Sequence, residues 1–148
     1  MVALALTVPA PASAALVPQR SLAGIELGMT AKEVRAERGE PDEVTRPKHP
    51  IVGRSTVYRY GLTRVTIFDQ SGVVNITTTS RRETYRSTGV GSTERAMRRA
   101  VRGERCATEH GHRTCHVGRF EPGRKVTTWY ISPKTGKVRR ISLGRVID

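Results

Sequence analysis

The sequence predicts an α+β chain built from two tandem repeats, each with short helices and a three- to four-stranded antiparallel sheet, the helices on one face. Three observations lead there. The chain resembles itself at an offset near 63 residues, each copy placing a glycine-rich, threonine-capped helical segment ahead of three strand-like runs. Those runs are rich in Val, Ile, Thr, Tyr and Trp and end at turn residues in matching places. A unit of this size buries little apolar surface alone, so two units sharing a continuous sheet solve a common problem.

In chain order, residues 1–14 read MVALALTVPAPASA. The run is apolar and closes on Ala12-Ser13-Ala14, the small-residue pattern of a signal-peptidase site. It predicts an exported chain beginning at Ala15, although the basic n-region is missing and the first cation is Arg20. Residues 15–86 form the first repeat. Gly24-Ile25-Glu26-Leu27-Gly28-Met29-Thr30 leads into the helical segment AKEVRAERG. Thr30 with Glu33 fits a capping box, and Gly39 and Pro41 end the helix. Strands follow at Thr56–Tyr60, Arg64–Asp69 and Val73–Ser80.

Residues 87–148 form the second repeat. Gly89-Val90-Gly91-Ser92-Thr93 precedes ERAMRRAVRG, where Ser92 or Thr93 caps the helix but no glutamate stands ready to reciprocate. Strands follow at Thr114–Gly118, Lys125–Ser132 and Lys137–Arg145. Val138, Ile141, Leu143 and Val146 do not alternate strictly, which predicts a bulge or two-sided burial.

The two cysteines, Cys106 and Cys115, are close in sequence, and an even count in an exported small domain predicts a disulfide at the base of a hairpin. The same stretch holds His110, His112 and His116. A zinc site would need thiolates and draws its ligands from separate elements. No metal and no cofactor is therefore expected, and a metal-dependent hydrolase on this hairpin stands only as a foil.

The run GIELGMTAKEVRAERGEPDEV resembles the opening of the small SmpA/OmlA (BamE-type) lipoproteins, and two such units in one exported chain resemble the β-lactamase inhibitor protein fold. The resemblance covers roughly residues 22–148. It implies tandem helix-loop-helix units on a curved sheet and a non-catalytic binding role. The inhibitors' acidic loop has no counterpart, because Thr45–Ser55 reads TRPKHPIVGRS and holds no acid.

Charge points to the partners. The chain carries 26 basic and 13 acidic residues, a net +13. Residues 1–80 hold 9 basic and 7 acidic residues, and residues 81–148 hold 17 and 6. Such a field attracts polyanions in a salt-dependent way. No apolar run approaches the length of a membrane-spanning helix. No Gly-x-Ser-x-Gly elbow, phosphate-loop ending, second helix at helix-turn-helix spacing or aromatic RNA-binding signature is present, so catalysis and nucleic-acid binding are not expected.

The favoured expectation is a secreted or envelope-bound, non-catalytic module that binds an extracellular or envelope protein through its sheet face and loops. Tyr58, Tyr60 and Trp129 would be the sheet anchors, joined by His49 and Arg54 of the variable loop. The alternative is electrostatic binding of anionic cell-wall polymer or lipid headgroups through Arg95, Arg98, Arg99, Arg102, Arg139 and Arg140.

Overall fold

The computed structural model describes residues 16–49 and 53–147, so the expected leader, residues 1–14, lies outside the described part. The described chain opens with two very short strands, β1 (Ser21–Leu22) and β2 (Ile25–Glu26), joined by Ala23 and Gly24 at φ 56° and 76°. Two successive positive φ angles make the kind of tight turn that suits the twist of a hairpin. Helix α1 (Ala31–Arg38) begins at Thr30, whose hydroxyl accepts from the Glu33 amide at 3.2 Å while the Glu33 carboxylate accepts from the Thr30 amide at 2.7 Å. It stops at Gly39, which takes φ 79° and donates to the Arg35 carbonyl.

Strands β3 (Glu43–Thr45), β4 (Lys48–His49), β5 (Gly53–Tyr60), β6 (Thr63–Phe68) and β7 (Gly72–Thr78) follow. The same sequence of elements then recurs. A hairpin of β8 (Thr84–Tyr85) and β9 (Thr88–Gly89) turns at Arg86 and Ser87, with φ 47° and 63°. The expected boundary between residues 86 and 87 thus falls inside this turn. Helix α2 (Glu94–Ala100) is capped by Thr93, which accepts from the Ala96 amide at 3.1 Å. Strands β10 (Arg105–Glu109), β11 (His112–Val117), β12 (Lys125–Ile131) and β13 (Val138–Arg145) complete the chain.

Eight of these strands form one antiparallel sheet in the order β10-β11-β12-β13-β7-β6-β5-β3, with β4 paired to β5. Strand makes up 48% of the described chain and helix 12%. This corrects the predicted α+β class. The protein is mostly β, and its two helices are short covers, each with one fully buried side chain, Val34 and Met97. The helix signals were locally sound, but capping fixes where a helix starts rather than how much of the chain it takes.

The two units meet where β7 pairs with β13: Thr78 opposite Ile141, Thr77 opposite Ser142, Ile76 opposite Leu143 and Asn75 opposite Gly144. Each of these strands is also clamped at its start by the loop before its own helix. The Gly28 amide donates to the Val73 carbonyl at 2.7 Å, and Val73 donates back to Met29 at 2.8 Å; Gly91, Val138 and Ser92 repeat this at 2.8 Å each. Gly72 permits that approach, since a Cβ there would meet the Gly28 and Met29 carbonyl oxygens. The register then shifts at Thr66/Ile67 against β7 and at Tyr130/Ile131 against β13, leaving Val74 and Arg139 as the extra residues of matching bulges.

One side of the sheet is covered by both helices and both short hairpins. Tyr58, Val65, Ile76, Leu143, Ile141, Trp129 and Cys115 pack there against Leu16, Leu22, Ile25, Val34, Met97 and Val101. The other side is polar, and among the described residues nothing covers it. One row of neighbouring positions across it reads Glu43, Arg59, Arg64, Thr77, Ser142, Thr128, His116, Arg105.

Candidate functional site

Strand alternation decides where the predicted anchors lie. Tyr58 and Trp129 share the parity of the core positions on their strands, and they are 3% and 0% exposed. Tyr60 is buried beside Tyr58 and donates its hydroxyl to the Gly39 carbonyl at 3.0 Å; burial pushes its phenol up from the ordinary value. The guanidiniums of Arg35 and Arg38 lie over the Tyr58 and Tyr60 rings at 5.1 and 5.7 Å. These three aromatics hold the helices to the sheet and offer no surface to a partner, which corrects their expected role as sheet-face anchors. Arg54 is exposed on β5, where it pairs with Lys48, and the His49 backbone pairs with Gly53. That corner is six strands from β10, roughly 30 Å at the usual inter-strand spacing.

The predicted anion-binding arginines do not share one face. Arg95, Arg98 and Arg99 line a depression on α2 together with Glu94 and Glu104. Arg98 pairs with Glu104 at 3.1 Å and lies more loosely, 3.9 Å, from Glu94. Glu94 is engaged more firmly by Arg113 of β11, at 2.6 and 3.2 Å, and this bond holds its carboxyl below the ordinary range. Two acids therefore offset much of the field of three arginines, and Arg102 stands outside the depression. Arg139 is the exposed bulge residue of β13. Arg140 lies across the sheet from α2, its guanidinium 3.9 Å over the Tyr130 ring.

A more strongly cationic site sits at the other end of β11. An open cleft of about 850 Å³ is lined by Gln19, Gly103, Arg105, Gly118, Arg119, Gly123, Arg124 and Lys125. Four cations border it, Arg105 and Lys125 from the starts of β10 and β12 and Arg119 and Arg124 from the connection between β11 and β12, and the lining carries no hydroxyl, thiol or carboxylate. The cleft exists because of a difference between the units. Where β5 turns into β6 through Gly61 and Leu62 alone, β11 reaches β12 through residues 118–124.

Backbone bonds tie this long connection down. Arg124 donates to the Glu121 carbonyl at 3.0 Å, Gly123 to Val146 at 2.9 Å, and Val146 back to Arg124 at 2.9 Å. Gln19 braces the base, its amide donating to the Thr127 hydroxyl at 2.7 Å and its side chain to the Lys125 carbonyl at 3.1 Å. Gly118, at φ 107°, could carry no Cβ without striking the Lys125 carbonyl oxygen and the Gln19 side chain. Glu121 reaches Arg119 at 3.8 Å and Arg124 at 3.7 Å, loose exposed pairs of little energetic weight.

Sequence reading missed Arg119, Arg124, Lys125 and Gln19. The signal was present in GRFEPGRK, a basic connection too long for a tight hairpin, but it showed only when set against the two-residue turn of the first unit.

Cys106 and Cys115 form a disulfide between directly opposed positions of β10 and β11. The sulfurs lie within ligand distance of the Glu94 carboxylate, but while the disulfide holds they supply no thiolate. His110 sits in the hairpin turn at φ 49°, and His116 leans on Phe120 on the opposite face of the sheet, so these histidines do not converge with this group.

Neither a protein-family model nor a curated protein matches the chain. Solved structures do. An extracellular protein containing a SCP domain from Bacillus anthracis strain Ames matches 98% of this chain and 50% of its own length, at 11% identity and a TM-score of 0.56. A cysteine-rich secretory protein from Staphylococcus aureus Mu50 matches 80% of this chain and 44% of its own, at 11% identity and 0.48. A DUF4309 family protein from Bacillus subtilis strain 168 matches 78% of each chain, at 14% identity and 0.47. The chain thus spans about half the length of the first two. The likeness to the Bacillus anthracis protein and the predominance of sheet overturn the resemblance to the BamE-type lipoproteins and the β-lactamase inhibitor protein. The chain shares the fold of part of the Bacillus anthracis protein, and at this identity the likeness extends to the fold alone.

Proposed function

We propose that this protein is a secreted, non-catalytic binding module that recognises an anionic partner. The observation that carries this reading is the cleft in which Arg105, Arg119, Arg124 and Lys125 converge without a carboxylate on the lining. Guanidiniums suit planar, two-point contacts to phosphate and carboxylate. The absence of hydroxyl, thiol and carboxylate from that lining favours binding over chemistry. Export is supported by the apolar leader sequence and by the disulfide, a bond kept in oxidising compartments. The Bacillus anthracis protein of like fold is itself described as extracellular. Among the described residues no helix is long and apolar enough to cross a membrane.

Protein recognition through Tyr58, Tyr60 and Trp129 loses its basis with their burial, and the uncovered face that replaces them is polar and basic.

The test is retention of envelope extract on the immobilised full chain at low and high salt, for wild type and an Arg105→Ala/Arg124→Ala variant. Acidic material held at low salt, released at high salt and lost from the variant is expected. Equal retention by both proteins, or retention indifferent to salt, would refute the reading.

A further inference from the structure

The cationic cleft has a neighbour. A second depression of about 370 Å³ shares Arg105, Gly118 and Arg119 with it and is completed by His116, Phe120 and Glu121. A chain-like ligand passing from one to the other crosses Arg105 and Arg119. Phe120 is 63% exposed, with its ring tilted on the His116 imidazole at 4.7 Å between centroids. The fold does not need this ring, since the corresponding turn of the first unit manages with two residues and no aromatic. Phe120 is also the one exposed side chain among the described Phe, Tyr and Trp residues.

We infer that the joined depressions hold an anionic carbohydrate chain: the guanidiniums take its phosphate or carboxylate groups, and Phe120 packs against the apolar face of a neighbouring sugar ring. The inference rests on the anion-binding reading above and adds the class of ligand. A flexible single-stranded nucleic acid calls for a succession of stacking rings along a basic groove. Here the rings do not run along the groove: Phe120 and the His116 imidazole it leans on form one cluster at one end. That is the arrangement for a single sugar face beside a charged group. Glu121 contributes the one negative charge of the site, at 3.8 and 3.7 Å from Arg119 and Arg124. Its pairs are loose and solvent-exposed, so a better-placed anion displaces it at small cost.

The test is calorimetric titration of the full chain with four probes: a phosphomannan, polygalacturonate, inorganic polyphosphate of matched charge, and an oligothymidylate. Three proteins are compared, namely wild type, Phe120→Ala and Arg105→Ala/Arg119→Ala, each checked for unchanged melting temperature. At least one charged glycan binds wild type more tightly than polyphosphate or the oligonucleotide. Phe120→Ala weakens that binding by about fivefold and leaves polyphosphate unaffected, whereas the arginine variant weakens both.

If Phe120→Ala leaves glycan binding unchanged, or polyphosphate or oligothymidylate binds more tightly than both glycans, the carbohydrate inference fails and the anion-binding reading survives. Binding of none of the four probes refutes both. The two glycans separate phosphate from carboxylate as the group recognised.

Discussion

Removing the disulfide tests how the β10–β11 hairpin is held. Cys106 and Cys115 are nine positions apart, so the bond closes a short loop. Loop-closure entropy for about ten residues comes to roughly 2.7 kcal/mol at 25 °C. Cys106→Ala removes that constraint from a half-buried position and leaves the Cys115 sulfur in place. Adding Cys115→Ala also empties sulfur-sized space at a fully buried site opposite Trp129, which costs about another 1 kcal/mol. Urea melts at neutral pH should therefore show losses of about 2.7 and 3.7 kcal/mol, or about 10 °C in Tm for the single variant. The reasoning is refuted if the single variant loses less than about 1 kcal/mol, which would mean the strand ladder fixes the hairpin unaided. It is also refuted if the double variant is no worse than the single, since Cys115 would then contribute nothing to packing beside Trp129.

Three further outcomes are expected. Glu83 is buried, one of its carboxylate oxygens has no hydrogen-bond partner, and burial raises its pKa despite the attraction of Arg38 and Arg82. Its protonated form suits the fold better, so the stabilisation is complete below the unfolded pKa and is lost as pH rises through the higher folded value; Glu83→Gln should stabilise the protein at pH 7 by about 1 kcal/mol and flatten that part of the pH–stability curve. Glu94 behaves oppositely, because its bond from Arg113 lowers its pKa and contributes stability that is lost as pH falls through the folded value. Arg113→Met should cost about 1 kcal/mol at pH 7, and acid titrations followed by circular dichroism should show a smaller loss than in wild type below pH ~4. Gly118→Ala forces a Cβ onto the Lys125 carbonyl at φ 107°, and should cost about 2 kcal/mol in thermal melts together with most polyphosphate binding.

Much of the fold was legible where side-chain periodicity is long enough to read. The six predicted strands match β5, β6, β7, β11, β12 and β13 to within a few residues at their ends, and the Thr30–Glu33 capping box forms as written. The hairpins β1–β2 and β8–β9 escaped because two residues carry no period. Their only signal is a pair of positive φ angles, and of Ala23, Gly24, Arg86 and Ser87 only the glycine advertises it. The helices received too much weight because caps are sharp local signals, whereas the continuity of a sheet across two units depends on contacts distant in sequence. Alternation correctly placed Tyr58 and Tyr60 on one face but left open which face the helices would cover, so core residues passed for anchors. The cleft was hidden for a related reason. Arg119, Phe120 and Arg124 belong to a connection, and connections show their meaning only by what they bring together.

The seam between β7 and β13 has a consequence for stoichiometry. Aligning the two bulges makes Thr77 the counterpart of Ser142, and these two residues face each other. The pairing is therefore self-complementary about that point, as the edge-to-edge contact of two identical subunits would be. Two separate copies of such a subunit would be obliged to carry identical loops and to bind their ligand twice. Joined in one polypeptide, they are released from that obligation. One half keeps the two-residue turn at Gly61 and Leu62, while the other bears the basic connection from Gly118 to Arg124. Among the described residues, a symmetric framework thus carries this cationic connection at one end only.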